Sequence, residues 1–425
     1  MRTVSKTVIG VDFGTQSARA VLVNAENGEI IYSCRKEYPY NSTPVPAIDC
    51  AENLPCATDY EMTLYELLRN VIPEEYRKTV AGICIDATSL TMVLLAEDGR
   101  VLSELDGWSE AAHARVKLWK YHRAQEKADE ALNLASNLQE PFLGRTGGSI
   151  SCEWMLPKLL EVRDEAPEIY SKIDLAMDLC EFLTFRLTGQ LVRSIGSLSY
   201  KCLWAEDLSF PERTFLNGLR AGFYEEYCHF LRGDVRKPGE CAGMLRSELT
   251  KRWGLPEQIP VATGMLDGHT SLATMGAFEP GDAALIVGTS NVCTVQDRKL
   301  QELKDVCGVA QEGMVTGSCG IDTGQSSTGN MLGWFVEHMA GWQIHREAEE
   351  RKISPHQVLA ERIQKPWENK VIAVDWWSGS RNAPCDLTLR GSMSGLEMDT
   401  KTEDIYLALL QAIACGTGTI LESLS

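Results

Sequence analysis

Neither GxxxxGK(S/T) nor GxGxxG occurs in the 425 residues, which excludes the two commonest nucleotide-binding turns. No CxxC pair occurs either, and the fourteen cysteines are scattered, so a disulfide framework is not indicated and reduced, mostly buried thiols are expected. Cys50 and Cys56 come closest to a metal pair, but no second pair stands at ligand spacing, which argues against a structural zinc. Basic runs are missing as well: 41 Lys and Arg stand against 59 Asp and Glu, a formal charge of −18. That balance opposes a sequence-independent grip on nucleic acid or anionic lipid, so any phosphate has to be held by local groups. Met1 to Lys6 are polar and lead straight into a strand, and no apolar stretch reads as long enough to span a bilayer, so a cytoplasmic chain without membrane contact is expected. Low-complexity tracts are absent.

What is present is enough apolar content, 44%, to fill two cores, and a chain longer than one core usually organises; two domains with a cleft between them follow. Val8 to Phe13 reads as a buried strand; Ala20–Val23, the turn Asn27-Gly28 and Glu29–Ser33 add a hairpin. Met62, Leu64, Leu67, Leu68 and Val71 mark a crossover helix over Tyr60–Val71. Val80–Ile85, ending at Asp86, and Met92–Leu95 read as further sheet strands. Val116–Leu138, Glu153–Val162 and Leu179–Leu187 read as helices, forming a helical insert. After the turn-rich Arg232–Gly254 a new strand is expected over Ile259–Thr263, and the domain division falls there, giving 1–256 and 257–425. The second half then echoes the first: a strand into Asp267, Ala283–Val287 into Gly288-Thr289-Ser290, and Val292–Val295. Duplicated α/β halves about a nucleotide cleft describe the actin-like, or ribonuclease-H-like, ATPase architecture.

Four clusters bear chemistry. Asp12, Gly14, Thr15, Gln16 and Ser17 put a carboxylate and a hydroxyl-rich turn at a strand end, a means of holding Mg-nucleotide phosphates, although such a motif alone also merely ends strands. Asp267, flanked by Gly264 and Gly268, is placed to deprotonate a hydroxyl or, more simply, to cap the helix that follows. Gly288-Thr289-Ser290 offers N–H groups and hydroxyls as a second phosphate cradle. Gly324-Gln325-Ser326 repeats the pattern at the head of a helix through Trp334 and Phe335.

In this order, with strands before each, the clusters resemble the FGGY carbohydrate kinases. Ser151-Cys152-Glu153-Trp154, Tyr200-Lys201-Cys202-Leu203-Trp204 and Asp375-Trp376-Trp377-Ser378-Gly379-Ser380-Arg381 are most similar to the ribulokinase branch; Leu118-Trp119-Lys120 and Asp86-Ala87-Thr88-Ser89 also fit. The resemblance implies ATP-dependent phosphorylation of a sugar hydroxyl, with a ketopentose such as ribulose as substrate. Asp267 would be the general base, and Asp12 and Asp267 would hold Mg²⁺. Asp12, Gly14, Thr15, Gln16, Ser17, Gly288, Thr289, Ser290, Gly324 and Gln325 would grip the ATP phosphates. Ser89, Lys201, Asp267 and Asp322 would contact the sugar, with Glu153 and Glu181 as ordinary surface or supporting carboxylates. Asp12 and Asp267 are expected to face one triphosphate from opposite walls. The pattern is departed from at Tyr121 and Asp322, which bear on sugar identity, and the family continues past the position of Ser425 with an adenosine-binding segment, so a C-terminally shortened second domain is expected. Two other readings stand beside the kinase: a sugar-binding protein without nucleotide turnover, and an actin-like ATPase without a sugar acceptor. A homodimer is compatible with any of them.

Overall fold

The computed structural model describes residues 6–38, 54–364, 369–381, 384–386 and 388–424; Cys50 and the start of the chain lie outside the described residues. In the first strand, Thr7–Phe13, Ile9, Val11 and Phe13 are buried while Val8, Gly10 and Asp12 take the other face, the period of a pleated strand. It runs antiparallel to Ser17–Asn24, itself paired with Ile30–Glu37, and parallel to Val80–Ala87. Gly28, at φ 74°, closes the hairpin by donating to the Asn24 carbonyl at 2.9 Å, a conformation that suits glycine because it has no Cβ. The crossover helix spans Ala57–Asn70 and buries Tyr60, Leu64, Leu67 and Leu68. Met62 lies outside that stripe: two residues from Leu64 it is turned by about 200°, and it is 64% exposed.

Pro260–Ala262 and Met265–Leu266 both pair in parallel with Val80–Ala87, and Cys241–Met244 closes the far edge. These strands therefore complete the first sheet, and the division expected at 256/257 is corrected to a point beyond Leu266. Met92–Leu95 also departs from expectation, forming a separate antiparallel pair with Leu175–Asp178. The helical insert has its own core, where Trp154, Leu156, Leu159, Phe215, Phe223 and Tyr227 meet. Its first helix spans only Gln125–Leu138. Upstream, the buried Lys158 ammonium donates to the carbonyls of Leu90, Lys117 and Leu118 at 3.0, 3.4 and 2.9 Å, so the Lys117 and Leu118 carbonyls are engaged by a side chain, and 116–124 stays irregular. All thirteen described cysteines are free.

The second sheet is antiparallel in the order Ala283–Val287, Asn291–Asp297, Cys319–Gln325, Gly308–Gln311. Its first turn, Gly288-Thr289-Ser290, occupies the place that Gly14-Thr15-Gln16 has in the first sheet. Gly324 and Gln325 end a strand rather than open a helix, which begins at Gly329. The chain between them is tied to the turn, with Thr328 N–H donating to the Thr289 carbonyl at 3.1 Å and Gly329 N–H to the Gly288 carbonyl at 3.0 Å. A Cβ on residue 324 would lie 2.2 Å from the Asn291 carbonyl oxygen. Gly324→Ala is accordingly expected to cost about 1–3 kcal/mol and lower the thermal midpoint by several degrees in calorimetry; an unchanged midpoint would show that the two strands separate there freely.

The helix Thr402–Ser423 corrects the statement that no apolar stretch is long enough to span a membrane, for by length and composition it meets that test. It packs on the strands Ile372–Val374 and Cys319–Gln325, with Tyr406 and Leu409 in a core shared with Met331 and Phe335. Only 33% of its apolar window is buried by these contacts.

Candidate active site

Asp12 is in register with Asp86, and Asp86 with Met265, which leads through Leu266 into Asp267. Three carboxylates thus gather at the carboxyl ends of three neighbouring parallel strands, where ligands of α/β sheets bind. Burial, with the negative charges of Asp12 and Asp267, pushes the Asp86 carboxyl far up, and it hydrogen-bonds Asp12. Asp267 is raised to about 6, chiefly by burial and then by Asp12, against the pull of the Gly268 and Ser89 N–H groups and Lys201. Its Oδ1 accepts the Gly268 N–H at 2.7 Å, so the helix-capping role exists alongside its place in the cavity wall. Asp12 and Asp267 do interact, but as neighbours in one sheet, not from opposite walls; the chain crosses into the second domain only after Asp267.

Among the described residues no set of three or more His, Cys, Asp or Glu side chains is arranged to hold a metal alone. Magnesium commonly keeps waters and phosphate oxygens and takes one or two carboxylates. A carboxylate group crowded enough to keep one member protonated suits such a cation, which Asp12 and Asp267 would hold.

The cleft holds a cavity of about 330 Å³ whose walls include Thr15, Ser89, Lys201, Asp267, Ser290 and Asp322. Lys201 ends the helix Ile195–Lys201 and donates to Asp322 Oδ2 at 3.2 Å, across the division between domains. His269 Nε2 approaches the same oxygen at 3.5 Å. Burial opposes the Asp322 charge, but Lys201 and His269 hold its carboxyl well below the usual range, while Asp322 lifts Lys201 against burial. Both are therefore ionised. Glu153 and Glu181 are not surface groups. Glu181 is buried, pairs with Arg193 Nη1 at 2.8 Å and completes the cap of its own helix. Glu153 lines the cavity; burial raises its carboxyl, but Arg381 and His122 bring it down to about 2.

The expected phosphate ligands divide. Thr15, Ser290 and Gly324 line the cavity; Asp12 is half-buried near Asp267; Gly14, Gly288 and Thr289 lie in the two turns, and Gln16 is exposed. Two side chains are engaged elsewhere. The Ser17 hydroxyl accepts Arg35 Nε–H at 3.0 Å. The Gln325 amide is saturated: it donates to Asp375 Oδ2 at 2.7 Å and the Ile413 carbonyl at 3.0 Å, and accepts from Asn291 and Thr417. With both donors and both lone pairs used, Gln325 anchors the second domain and is corrected from a phosphate ligand to a support. Sequence reasoning also passed over His122, His269 and Arg381 as individual site residues. The run ending in Arg381 and the cluster around Asp267, which reaches His269, carry the only signal for them.

The model of the FGGY carbohydrate kinase N-terminal domain matches residues 7–274, and that of the C-terminal domain matches 283–425. The chain belongs to the FGGY family of carbohydrate kinases. This kinase is 33% identical over 429 residues to a ribulokinase of Halalkalibacterium halodurans, covering 99% of the chain and 76% of that relative. It is 36% identical over 434 residues to a ribulokinase of Mycolicibacterium smegmatis, covering 98% and 76%. Solved structures share the fold: a ligand-bound xylulose kinase from Lactobacillus acidophilus superposes with TM-score 0.76 at 19% identity, over 99% of this chain and 78% of that one. A glycerol kinase from Plasmodium falciparum with ADP gives 0.74 at 16%, over 99% and 78%. The kinase is a ribulokinase-like, two-domain enzyme of the actin-like, ribonuclease-H-like class, and its chemistry is ATP-dependent phosphorylation of a sugar.

Proposed function

We propose that the acceptor is a ketopentose, ribulose first, and that Asp267 is the general base that takes the proton from its reacting hydroxyl. The observation that supports this most is the meeting of Asp267, Lys201 and Asp322 in one cavity. A carboxylate near pKa 6 is strong enough to accept a hydroxyl proton during transfer and is largely ionised at neutral pH. An ammonium carries three donors, of which Asp322 takes one, leaving others for sugar oxygens. Magnesium, bound with ATP, would neutralise charge on the transferring phosphoryl group. The chain's own part is alignment: the Gly14-Thr15 turn and the Gly288-Ser290 turn face the nucleotide, and Ser89 and Lys201 orient the sugar. The free thiols among the described residues fit a reducing, cytosolic setting.

The test is release of ADP from ATP with a panel of ketopentoses, hexoses and polyols. Strong dependence on ribulose is expected, with xylulose and glycerol poorer acceptors. Hydrolysis at an equal rate without any sugar would favour an actin-like ATPase, and sugar binding without turnover would favour a sugar-binding protein. Because water in the cleft would compete for the phosphoryl group, closure of the domains on sugar plus nucleotide is also expected, and small-angle scattering should show a smaller radius of gyration.

A further inference from the structure

Glu153, Arg381, Trp119 and Thr15 form a continuous line across the cleft. Arg381, from the second domain, is ion-paired with Glu153 of the helical insert. His122 Nε2 lies 2.9 Å from the same Glu153 oxygen. The Arg381 guanidinium sits 5.8 Å from the centre of the Trp119 ring. Trp119 Nε1–H in turn donates to Thr15 Oγ1 at 3.0 Å, in the turn that follows the first strand. Arg381, Glu153, Trp119 and Thr15 all line the cavity, and the charge of Glu153 raises the Arg381 pKa, so the guanidinium stays ionised.

A planar guanidinium can meet a carboxylate and an aromatic face at once, which an ammonium does less well. The indole N–H is the only polar atom on the Trp119 side chain, and it is spent on the Thr15 hydroxyl, fixing where that oxygen points. Movement of Arg381 with the second domain would therefore be felt at Thr15 through a contiguous set of contacts.

We propose that Arg381 is a positioning residue for phosphoryl transfer: docked on Glu153, it sets the Trp119 ring, and Trp119 sets the Thr15 hydroxyl toward the nucleotide phosphates. The sugar side of the cleft and the phosphate turn are thereby linked through the second domain. This rests on the reading of Thr15 as a phosphate contact but not on the identity of the sugar or on Asp267 as base.

The experiment is a double-mutant cycle on Mg-ATP affinity, measured by calorimetry so that it is read without turnover. Arg381→Lys and Trp119→Phe are each expected to weaken Mg-ATP binding about tenfold, and the double variant to be no weaker than either single one, because both act through Thr15. A double variant weakened about a hundredfold would show independent effects and overturn the relay, as would unchanged affinity in Arg381→Lys. Should Arg381→Lys fold poorly, Arg381→Gln combined with Glu153→Gln removes the pair without leaving a buried charge, and the same tenfold loss is expected. Failure of the ketopentose reading shows separately, as absent ribulose-dependent ADP release by the unaltered enzyme.

Discussion

Asp267→Asn is expected to lower kcat by about a thousandfold or more while changing sugar affinity by less than about threefold. The substitution keeps the shape of the side chain and an oxygen able to accept the Gly268 and Ser89 N–H groups, so the strand end and the helix Asp267–Met275 should hold. What it removes is the basic oxygen and one magnesium donor. With Asp86 kept protonated, the Asp12 and Asp267 carboxylates repel one another, and burial adds to that cost; the amide relieves part of it. In metal-free buffer at neutral pH the variant should therefore melt no lower than the parent. Loss of activity with an unchanged or higher midpoint separates a chemical role from a folding one. Retained turnover would remove Asp267 from the chemistry, and loss of sugar binding alongside it would make Asp267 a binding residue first.

The parts of this site legible in the sequence are those that local pattern controls. Asp12 and Gly14-Thr15 follow a strand whose burial alternates residue by residue, and Gly288-Thr289-Ser290 follows an apolar run in the same way. The strand before Asp267 was legible as a strand, but not its sheet. Its partner, Val80–Ala87, is distant in the chain, and an apolar run carries no mark of which neighbour it will pair with. The domain division and the opposite-wall arrangement went wrong together for that one reason.

Side-chain partners across long loops were the other illegible class. Gln325 has the surroundings of a phosphate loop, yet its amide is taken by groups as far along the chain as Ile413 and Thr417. Glu153 looks like an ordinary helix-start carboxylate until Arg381, 228 positions later, is placed against it. The irregular 116–124 segment has helix-forming composition, but the Lys158 ammonium engages carbonyls there. In each case a tertiary hydrogen bond outweighs a local preference of a few tenths of a kcal/mol per residue.

Lys201→Met should produce the second large effect, and on two observables at once. Lys201 and Asp322 are both nearly buried, at 9% and 7% exposure, and join the two domains. Removing the ammonium leaves a buried carboxylate with His269 beside it and Arg381 as a further charge within electrostatic reach. Breaking such a pair costs about 3–5 kcal/mol, so the thermal midpoint should fall clearly. The sugar KM should rise about a hundredfold, since donors to its oxygens are lost as well. The double variant Lys201→Met with Asp322→Asn distinguishes these causes. Neutralising the stranded carboxylate is expected to restore most of the stability, whereas the sugar KM should stay high because the ammonium has not been returned and the new amide N–H groups stand at the Asp322 position instead. Recovery of both would show that Lys201 serves only to pair Asp322, and that the sugar is held by other groups in the cavity.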